Sequence, residues 1–272
     1  MPKGACDAHV HMVAGANDFP LWDGRVEDPA PGLDFDGWLA FLESHLDALG
    51  MERTVIVHSI LYGSDNAVTI ESVRRLGQRA RGVGLLQDGA TEPEIDALAA
   101  ANMKAIRLNY VHGGVLTWDG AKSMAPALAE RGMHIQMLAH ADQHISALAD
   151  DVRAFPCPVV FDHCGWPFDG PSPNSKGFAT LLELVAEGHA WVKLSAVYRL
   201  TADWAQAAEL VAALTAANPE RCLWGSDWPH LMRADAAMPD AGDLLNFFGA
   251  VVTDDATRNR ILVDNPAALF GF

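Results

Sequence analysis

Short apolar runs alternate with longer stretches of helical periodicity along the whole chain, and this alternation limits the possible folds most strongly. Runs such as Val-Ile-Val and Val-Val-Phe lack the polar alternation of half-exposed strands. They therefore predict strands that are buried on both faces of a parallel sheet. Eight strands are predicted, over residues 5–12, 53–60, 81–86, 103–110, 133–140, 157–164, 190–196 and 221–227.

Segments with helical periodicity separate these strands. They cover residues 35–49, 66–79, 92–101, 123–130, 146–155, 175–187 and 202–217, with two more helices predicted near 242–252 and 254–263. About eight strand–helix units in 272 residues predict an α/β fold, a (β/α)8 TIM barrel that forms a single domain over residues 1–272. A doubly wound open sheet is the alternative, but no glycine-rich phosphate loop follows the first predicted strand.

The chain is acidic, with 35 Asp and Glu against 19 Lys and Arg and a formal net charge of −16 at pH 7. Such a surface repels phosphate backbones and anionic lipids, so we expect neither nucleic acid nor a membrane as a partner. No apolar run approaches the ~20 residues of a bilayer span, and the N-terminus lacks the apolar stretch of a signal peptide. The four cysteines form no CxxC pair. We expect a reduced cytoplasmic protein, whose oligomeric state the sequence leaves open.

Polar side chains follow the predicted strands at their carboxyl ends, where a barrel of this type carries its chemistry. His9 and His11 share one face of the first strand, because alternate residues of a strand point the same way. The other polar residues at strand ends are His58, Arg107, Asn109, His140, His163, Ser195 and Asp227. A purely structural barrel would favour Val, Ile or Leu there, so the set predicts a binding or catalytic site.

Asp227 is the strongest catalytic candidate among them. A carboxylate that ends the last strand beside histidines is suited to act as a general base or as a metal ligand. His163 is predicted to face the same cavity, whereas Asp162 has the opposite strand parity and is expected to anchor a loop.

Four further residues are candidates for substrate binding. Arg107 and Arg199 carry bidentate donors that suit a substrate carboxylate, although Arg more often pairs with a surface carboxylate. His58 and His140 are candidates for substrate contact, with buried histidines of the barrel wall as the alternative.

At these residues the chain resembles the amidohydrolase superfamily, in the branch that contains 2-pyrone-4,6-dicarboxylate lactonase and related sugar-acid lactonases and lactone isomerases. The segments that carry the resemblance cover residues 6–11, 105–109, 161–165, 193–195, 223–230 and 262–266. The resemblance implies a catalytic cluster of four residues, with two arginines on a substrate carboxylate: His9, His11, His163 and Asp227, and Arg107 and Arg199. The chain departs from the dicarboxylate lactonase at Gly113, Leu138 and Trp166, where that enzyme is expected to have substrate-binding arginines and a tyrosine. The site is therefore expected to be less cationic.

The expected function is hydrolysis of a small carboxylated lactone, with Asp227 as general base and the histidines polarising the carbonyl. A lactone is an activated acyl group, so no cofactor is expected to be required. The alternative is a single Zn²⁺ or Mn²⁺ held by His9, His11 and Asp227. A lactone isomerase, a metal-dependent decarboxylase or hydrolase of the same superfamily, and a non-catalytic binding barrel remain as alternative functions. The predicted strand 133–140 has no lysine that could be carbamylated, so a binuclear metal site is not expected.

Overall fold

Eight short parallel strands form one sheet, and their order in the sheet is their order in the chain. The structure is a computed structural model, which describes residues 1–25, 27–233 and 237–272. The strands are β1 (Cys6–Val10), β2 (Arg53–Val57), β3 (Ala80–Gly84), β4 (Met103–Asn109), β5 (His134–Leu138), β6 (Val159–Phe161), β7 (Ala190–Ser195) and β8 (Cys222–Gly225). Just beyond β8, the Asp227 N–H donates to the His9 carbonyl at 2.9 Å and brings the last strand against the first. The predicted (β/α)8 barrel is confirmed.

Helices surround the ring of strands. They are α1 (Phe35–Leu49), α2 (Ala67–Leu76), α3 (Glu92–Ala100), α4 (Trp118–Glu130), α5 (Ser146–Ala154), α6 (Lys176–Ala186), α7 (Val197–Leu200), α8 (Trp204–Ala217), α9 (Ala241–Val251), α10 (Asp255–Asn259) and α11 (Asn265–Phe270). Among the described helices, none is both long and apolar enough to cross a membrane.

Side-chain caps explain where several helices begin and end. The Thr91 N–H donates to the Glu94 carboxylate at 2.8 Å, which completes a capping box at the start of α3. Gly50 ends α1 in the left-handed conformation with φ of 69°. The prediction for α4 began too late, because the Thr117 hydroxyl accepts the Gly120 N–H at 3.0 Å and starts the helix at Trp118. The short helix α7 was not predicted.

The strands end earlier than predicted, and this matters for the site. His58, His140, His163 and Asp227 lie just beyond the last residues of β2, β5, β6 and β8. Their backbones are therefore free of the strict alternation of a strand, and their side chains take directions that strand parity does not fix.

The inside of the barrel has a small apolar core at the end opposite the strand-end residues. The core consists of buried side chains from the strands and from the last helix: Cys6, Ala8, Val55, Val57, Val83, Ala105, Val160, Leu223 and Phe270. Phe270 of α11 lies against the ring of His134, with 5.1 Å between the ring centroids. The C-terminal helix therefore closes this end of the barrel.

His134 is an unusual neighbour of this core. It is 1% exposed, and neither ring nitrogen has a hydrogen-bond partner among the described residues. Burial, followed by the charge of Lys193, lowers the pKa of His134 to about 3. Because the folded pKa lies below the unfolded value, the unfolded chain binds this proton more readily, and the free energy of unfolding falls as the pH drops from ~6.5 toward 3.

We predict that His134→Leu raises the free energy of unfolding by about 1–2 kcal/mol at pH 7, because a buried polar group without partners is removed. The increase in the free energy of unfolding should be larger at pH 5. At that pH the unfolded wild type is stabilised by a proton on His134, whereas the unfolded variant has no such site. Urea denaturation at the two pH values measures both effects, with the exposed His189→Leu as the matched control. A variant that is less stable than the wild type at both pH values would contradict this prediction.

Candidate active site

Four of the predicted residues converge at the carboxyl end of the barrel. His9 Nε2 lies 3.3 Å from His11 Nε2, and Asp227 Oδ1 lies 3.6 Å from the first and 3.4 Å from the second. His163 Nε2 lies 3.9 Å from the same carboxylate oxygen. All four side chains are buried. The structure brings together the residues proposed for catalysis, while their chemical roles stay predictions.

Left-handed backbone turns aim two of these side chains into the barrel. His163 has φ of 53° and Asp227 has φ of 66°, and Ala196 after β7 has φ of 52°. A non-glycine residue in this region costs of order 1–3 kcal/mol, and such strain is concentrated at functional sites in proteins. The strained positions here follow three adjacent strands, which supports a site at this end.

The direction predicted for Asp162 was wrong. Its carboxylate enters the cluster, with Oδ1 3.3 Å from His9 Nδ1, and it is fully buried. Strand parity failed because β6 ends at Phe161, so Asp162 and His163 no longer alternate. Both residues therefore contact the same histidine.

A buried carboxylate on the outer face of β1 holds the first and last strands together. Asp7 Oδ1 accepts the Ser226 N–H at 2.9 Å and the His9 N–H at 3.2 Å. Its second oxygen lies 3.3 Å from His45 Nε2 on α1. Asp7 thereby fixes the backbone at His9 and immediately before Asp227.

The two oxygens of Asp227 have different surroundings. Oδ2 accepts the Tyr198 hydroxyl at 2.5 Å and Arg199 Nε at 2.8 Å, whereas Oδ1 faces the histidines. Burial raises the pKa of Asp227, but the charges of Arg199 and then His163 outweigh burial and lower it well below its usual value. Asp227 is therefore ionised at neutral pH, with Oδ1 available to accept a proton.

Hydrogen-bond partners define the protons on two of the histidines. His11 Nδ1 lies 2.9 Å from the Val57 carbonyl, which can only accept, so Nδ1 carries a proton and Nε2 is the nitrogen that faces the cluster. His163 Nδ1 lies 2.9 Å from the Ser195 hydroxyl, which can donate to it and leave the proton on Nε2. Burial lowers the pKa of His163 to about 4, so it is neutral at pH 7.

A buried polar chain beneath the cluster was missed at the sequence level. Lys193 Nζ donates to the Ala8 carbonyl at 2.7 Å and to Gln136 Oε1 at 2.6 Å. Gln136 Nε2 in turn donates to Asp162 Oδ2 at 3.2 Å. Burial lowers the pKa of Lys193 to about 8, so it is mostly protonated at pH 7. A lysine and a glutamine inside otherwise apolar strands were the sequence signal that could have revealed this chain.

The four residues predicted to bind substrate differ in their positions. Arg107 Nη1 donates to the His58 carbonyl at 2.8 Å, and both side chains line cavities beside the cluster. Arg199 also lines a cavity, but its Nε and Nη2 are engaged with Asp227 and with the Leu231 carbonyl. His140 Nδ1 lies 2.7 Å from the Trp166 carbonyl, and His140 is not among the lining residues.

Two adjoining cavities open over the cluster. The reaction cavity, of about 60 Å³, lies on Asp227, His11 and His163 and is also lined by Arg107 and Arg199. The side cavity, of about 430 Å³, is walled by residues of β4 and of the loops after β1, β2, β3 and β4. Both cavities share four lining residues, which are Ile60, Arg107, Asn109 and His112.

The cluster also fits a single metal ion. His9 Nε2, His11 Nε2 and Asp227 Oδ1 are 3.3–3.6 Å apart. Ligand atoms around a tetrahedral zinc with bonds of ~2.0–2.1 Å are about 3.3 Å apart, so this spacing matches. A second group, formed by His9, Asp162 and His163, shares His9 with the first. These residues can therefore hold one metal ion.

Comparisons with known proteins agree with this architecture. The family model described as amidohydrolase matches residues 6–272. The chain is 34% identical to a 4-sulfomuconolactone hydrolase of Rhizobium radiobacter, over 100% of this chain and 91% of that protein. It is 30% identical to a 2-pyrone-4,6-dicarboxylate hydrolase of Comamonas testosteroni, over 99% of this chain and 91% of that protein. An apo crystal structure from Agrobacterium tumefaciens matches with a TM-score of 0.83 and 27% identity, over 100% of this chain and 97% of that one.

We predict that Tyr198→Phe lowers the free energy of unfolding at pH 7 by about 1.5–3 kcal/mol, because a buried hydrogen bond to a charged carboxylate is lost. Urea denaturation measures the change. Tyr110→Phe is the matched control, since the Tyr110 side chain is partly exposed and its hydroxyl has no partner among the described residues. Equal stability of Tyr198→Phe and the wild type would show that Tyr198 does not hold Asp227.

Proposed function

The chain belongs to the amidohydrolase family, and we propose that it opens the ring of a small carboxylated lactone by hydrolysis. The observation that carries this proposal is the divided environment of Asp227. One carboxylate oxygen is held by Tyr198 and Arg199, while the other faces three imidazoles at the floor of a cavity. The homologues agree with the predicted lactone hydrolase class, since two of them are named as hydrolases of a lactone and of a pyrone.

In the proposed mechanism, Asp227 Oδ1 accepts a proton from a water molecule while the water oxygen attacks the lactone carbonyl. The tetrahedral intermediate then collapses, and Asp227 returns the proton to the ring oxygen as the carbon–oxygen bond breaks. His163 Nε2–H donates to the oxyanion, a contribution of about 3–4 kcal/mol for a well-placed donor. Ser195 holds the His163 ring in the required tautomer.

Substrate binding should strengthen this base. Without substrate, the charge of Arg199 keeps the pKa of Asp227 low, which makes the carboxylate a weak proton acceptor. A substrate carboxylate bound to Arg107 or Arg199 offsets part of this positive charge. The pKa of Asp227 then rises toward the range that general base catalysis needs.

His9, His11 and Asp227 would hold a zinc or manganese ion, which when bound would polarise the carbonyl and acidify water. We propose that the reaction does not require it. Three cationic side chains, those of Arg107, Arg199 and Lys193, already surround the two carboxylates of Asp162 and Asp227. A lactone is also more reactive than an amide, so it depends less on a strong electrophile.

Asp227→Asn should lower kcat by at least ~100-fold, because the nearly isosteric amide cannot accept the proton of the attacking water. Turnover of a carboxylated γ-lactone is followed by titration of the acid released and by NMR of the product. The NMR spectrum separates ring-opened product from an isomerised lactone, which would indicate an isomerase instead. Circular dichroism and thermal melting control for folding. Turnover near that of the wild type would remove Asp227 from the role of base.

Arg107→Met and Arg199→Met should have different kinetic effects. Arg107→Met should raise KM for a carboxylated lactone about thirtyfold, the cost of one charge-assisted bond, and change KM for a neutral lactone little. Arg199→Met should also lower kcat on both substrates, because the loss of the Nε donor that orients Asp227 outweighs the rise in the pKa of this base. Equal effects of Arg107→Met on charged and neutral lactones would make Arg107 a structural residue.

Exhaustive chelation should leave activity within about twofold of its starting value, with metal content checked by elemental analysis. The comparison uses the same preparation before chelation and after Zn²⁺ or Mn²⁺ is added back. If activity disappears with the metal and returns on its addition, the metal-independent mechanism is wrong. His9, His11 and Asp227 would then be assigned as metal ligands.

A further inference from the structure

The reaction cavity is too small for a whole substituted substrate. Its 60 Å³ has room for roughly four or five water-sized groups, enough for a reacting ester and the acid group beside it. The side cavity is about 430 Å³ and adjoins it across Ile60, Arg107, Asn109 and His112. A substrate that is bound at Asp227 and is larger than the reaction cavity therefore extends into the side cavity.

The wall of the side cavity is mainly apolar. Its apolar side chains are Trp22, Ile60, Leu85, Val115 and Leu116. Three glycines and five polar residues line the rest of the cavity, the polar ones being His58, Ser64, Arg107, Asn109 and His112. Trp22 and Val115 are 46% and 43% exposed, which is high for large apolar side chains that line a cavity. A ligand group that covered them would gain the free energy of burying this surface.

The position of Trp22 is well defined by its contacts. Its backbone N–H donates to the Leu61 carbonyl at 2.8 Å. Its side chain lies over Gly63, where an added Cβ would come within 2.9 Å of Trp22 Cγ. These contacts therefore hold the Trp22 indole in the wall of the side cavity.

Among the residues that line the side cavity, Arg107 is the only one with a permanent charge. Arg107 stands at the boundary with the reaction cavity, and no lysine or second arginine lines the side cavity. Burial lowers the pKa of His58 to about 4 and also lowers the pKa of His112, so both are neutral at pH 7. A second carboxylate placed among these walls would lose its hydration without gaining a cationic partner.

We propose that the substrate carries a single acid group next to its lactone ring and, on another ring carbon, an uncharged apolar group that binds in the side cavity. The ester of the ring and the acid group occupy the reaction cavity, with the acid group on Arg107, and the rest of the ring lies at the boundary with the side cavity. The apolar group lies against Trp22, Val115 and Leu116. This substrate class rests on the proposed lactone hydrolysis and narrows it to monoacids.

Three γ-lactones test this substrate class. They share one ring and one carboxylate, and another ring carbon carries hydrogen, a butyl group or a second carboxylate, with all stereoisomers supplied. We expect kcat/KM for the butyl compound to exceed that for the hydrogen compound at least about tenfold, because several methylene groups are buried. The dicarboxylate should fall at least about tenfold below the hydrogen compound. Equal values for hydrogen and butyl, or a preference for the dicarboxylate, would overturn the proposal.

Variants at Val115 locate the preference in the side cavity. Val115→Trp fills the side cavity and should reduce the ratio of kcat/KM for the butyl compound to kcat/KM for the hydrogen compound toward one. Val115→Arg adds a positive charge and should raise kcat/KM for the dicarboxylate relative to the other two compounds. Val115 is half-exposed, so neither change disturbs the core. Met238→Trp is the matched control, since Met238 is 61% exposed and is not among the residues that line either cavity. A full butyl preference in Val115→Trp would place the selectivity elsewhere and overturn the proposal.

A binding measurement separates this proposal from the proposed function. The three lactones and their ring-opened acids are titrated into Asp227→Asn by calorimetry. In one outcome, the wild type hydrolyses none of the lactones, but the butyl compounds bind at least tenfold more tightly than the hydrogen compounds. Lactone hydrolysis is then wrong, and the apolar subsite in the side cavity is supported. If all three are hydrolysed with equal efficiency, the function stands and the subsite fails. If none is bound or hydrolysed, both are wrong.

Discussion

The contact between the first and last strands is the constraint on which the site depends. One backbone hydrogen bond joins Asp227 to His9 and a second joins His11 to Trp228, and the buried Asp7 carboxylate accepts N–H groups from both sides of this junction. His9 and Asp227 come from opposite ends of the chain, so only the closed ring places them 3.6 Å apart. The catalytic proposal and the metal-binding geometry both follow from this closure.

The charge arrangement around this junction determines what the site can do. Two buried carboxylates, Asp162 and Asp227, are surrounded by Arg107, Arg199 and Lys193 and by His9 and His163, which are neutral at pH 7. Such a site is prepared for negative charge before any substrate arrives, which is the electrostatic basis of acyl transfer. The same positive charge keeps Asp227 ionised and leaves a metal ion optional in the proposed mechanism.

Strands and loops contribute differently to the function. The floor of the reaction cavity comes from strand ends, whose positions the hydrogen-bonded ring fixes. The walls of the side cavity come from loops that carry Trp22 and Val115, and loops vary more easily than the elements they connect. Substitutions in these loops can therefore change the side cavity without moving the residues that form the floor.

The sequence by itself determined the barrel and most of the cluster, because both depend on local patterns. The alternation of apolar runs with helical segments predicted all eight strands, and the polar residues at their ends predicted His9, His11, His163 and Asp227. Only the tertiary structure decided which neighbours these residues have. Asp162 joins the cluster because the chain leaves strand geometry after Phe161, and Tyr198 reaches Asp227 because the short helix α7 follows β7, which pairs with β8. The Lys193–Gln136–Asp162 chain likewise joins β7 and β5 to the residue that follows β6, and contacts between residues far apart in sequence exist only once the ring of strands has closed.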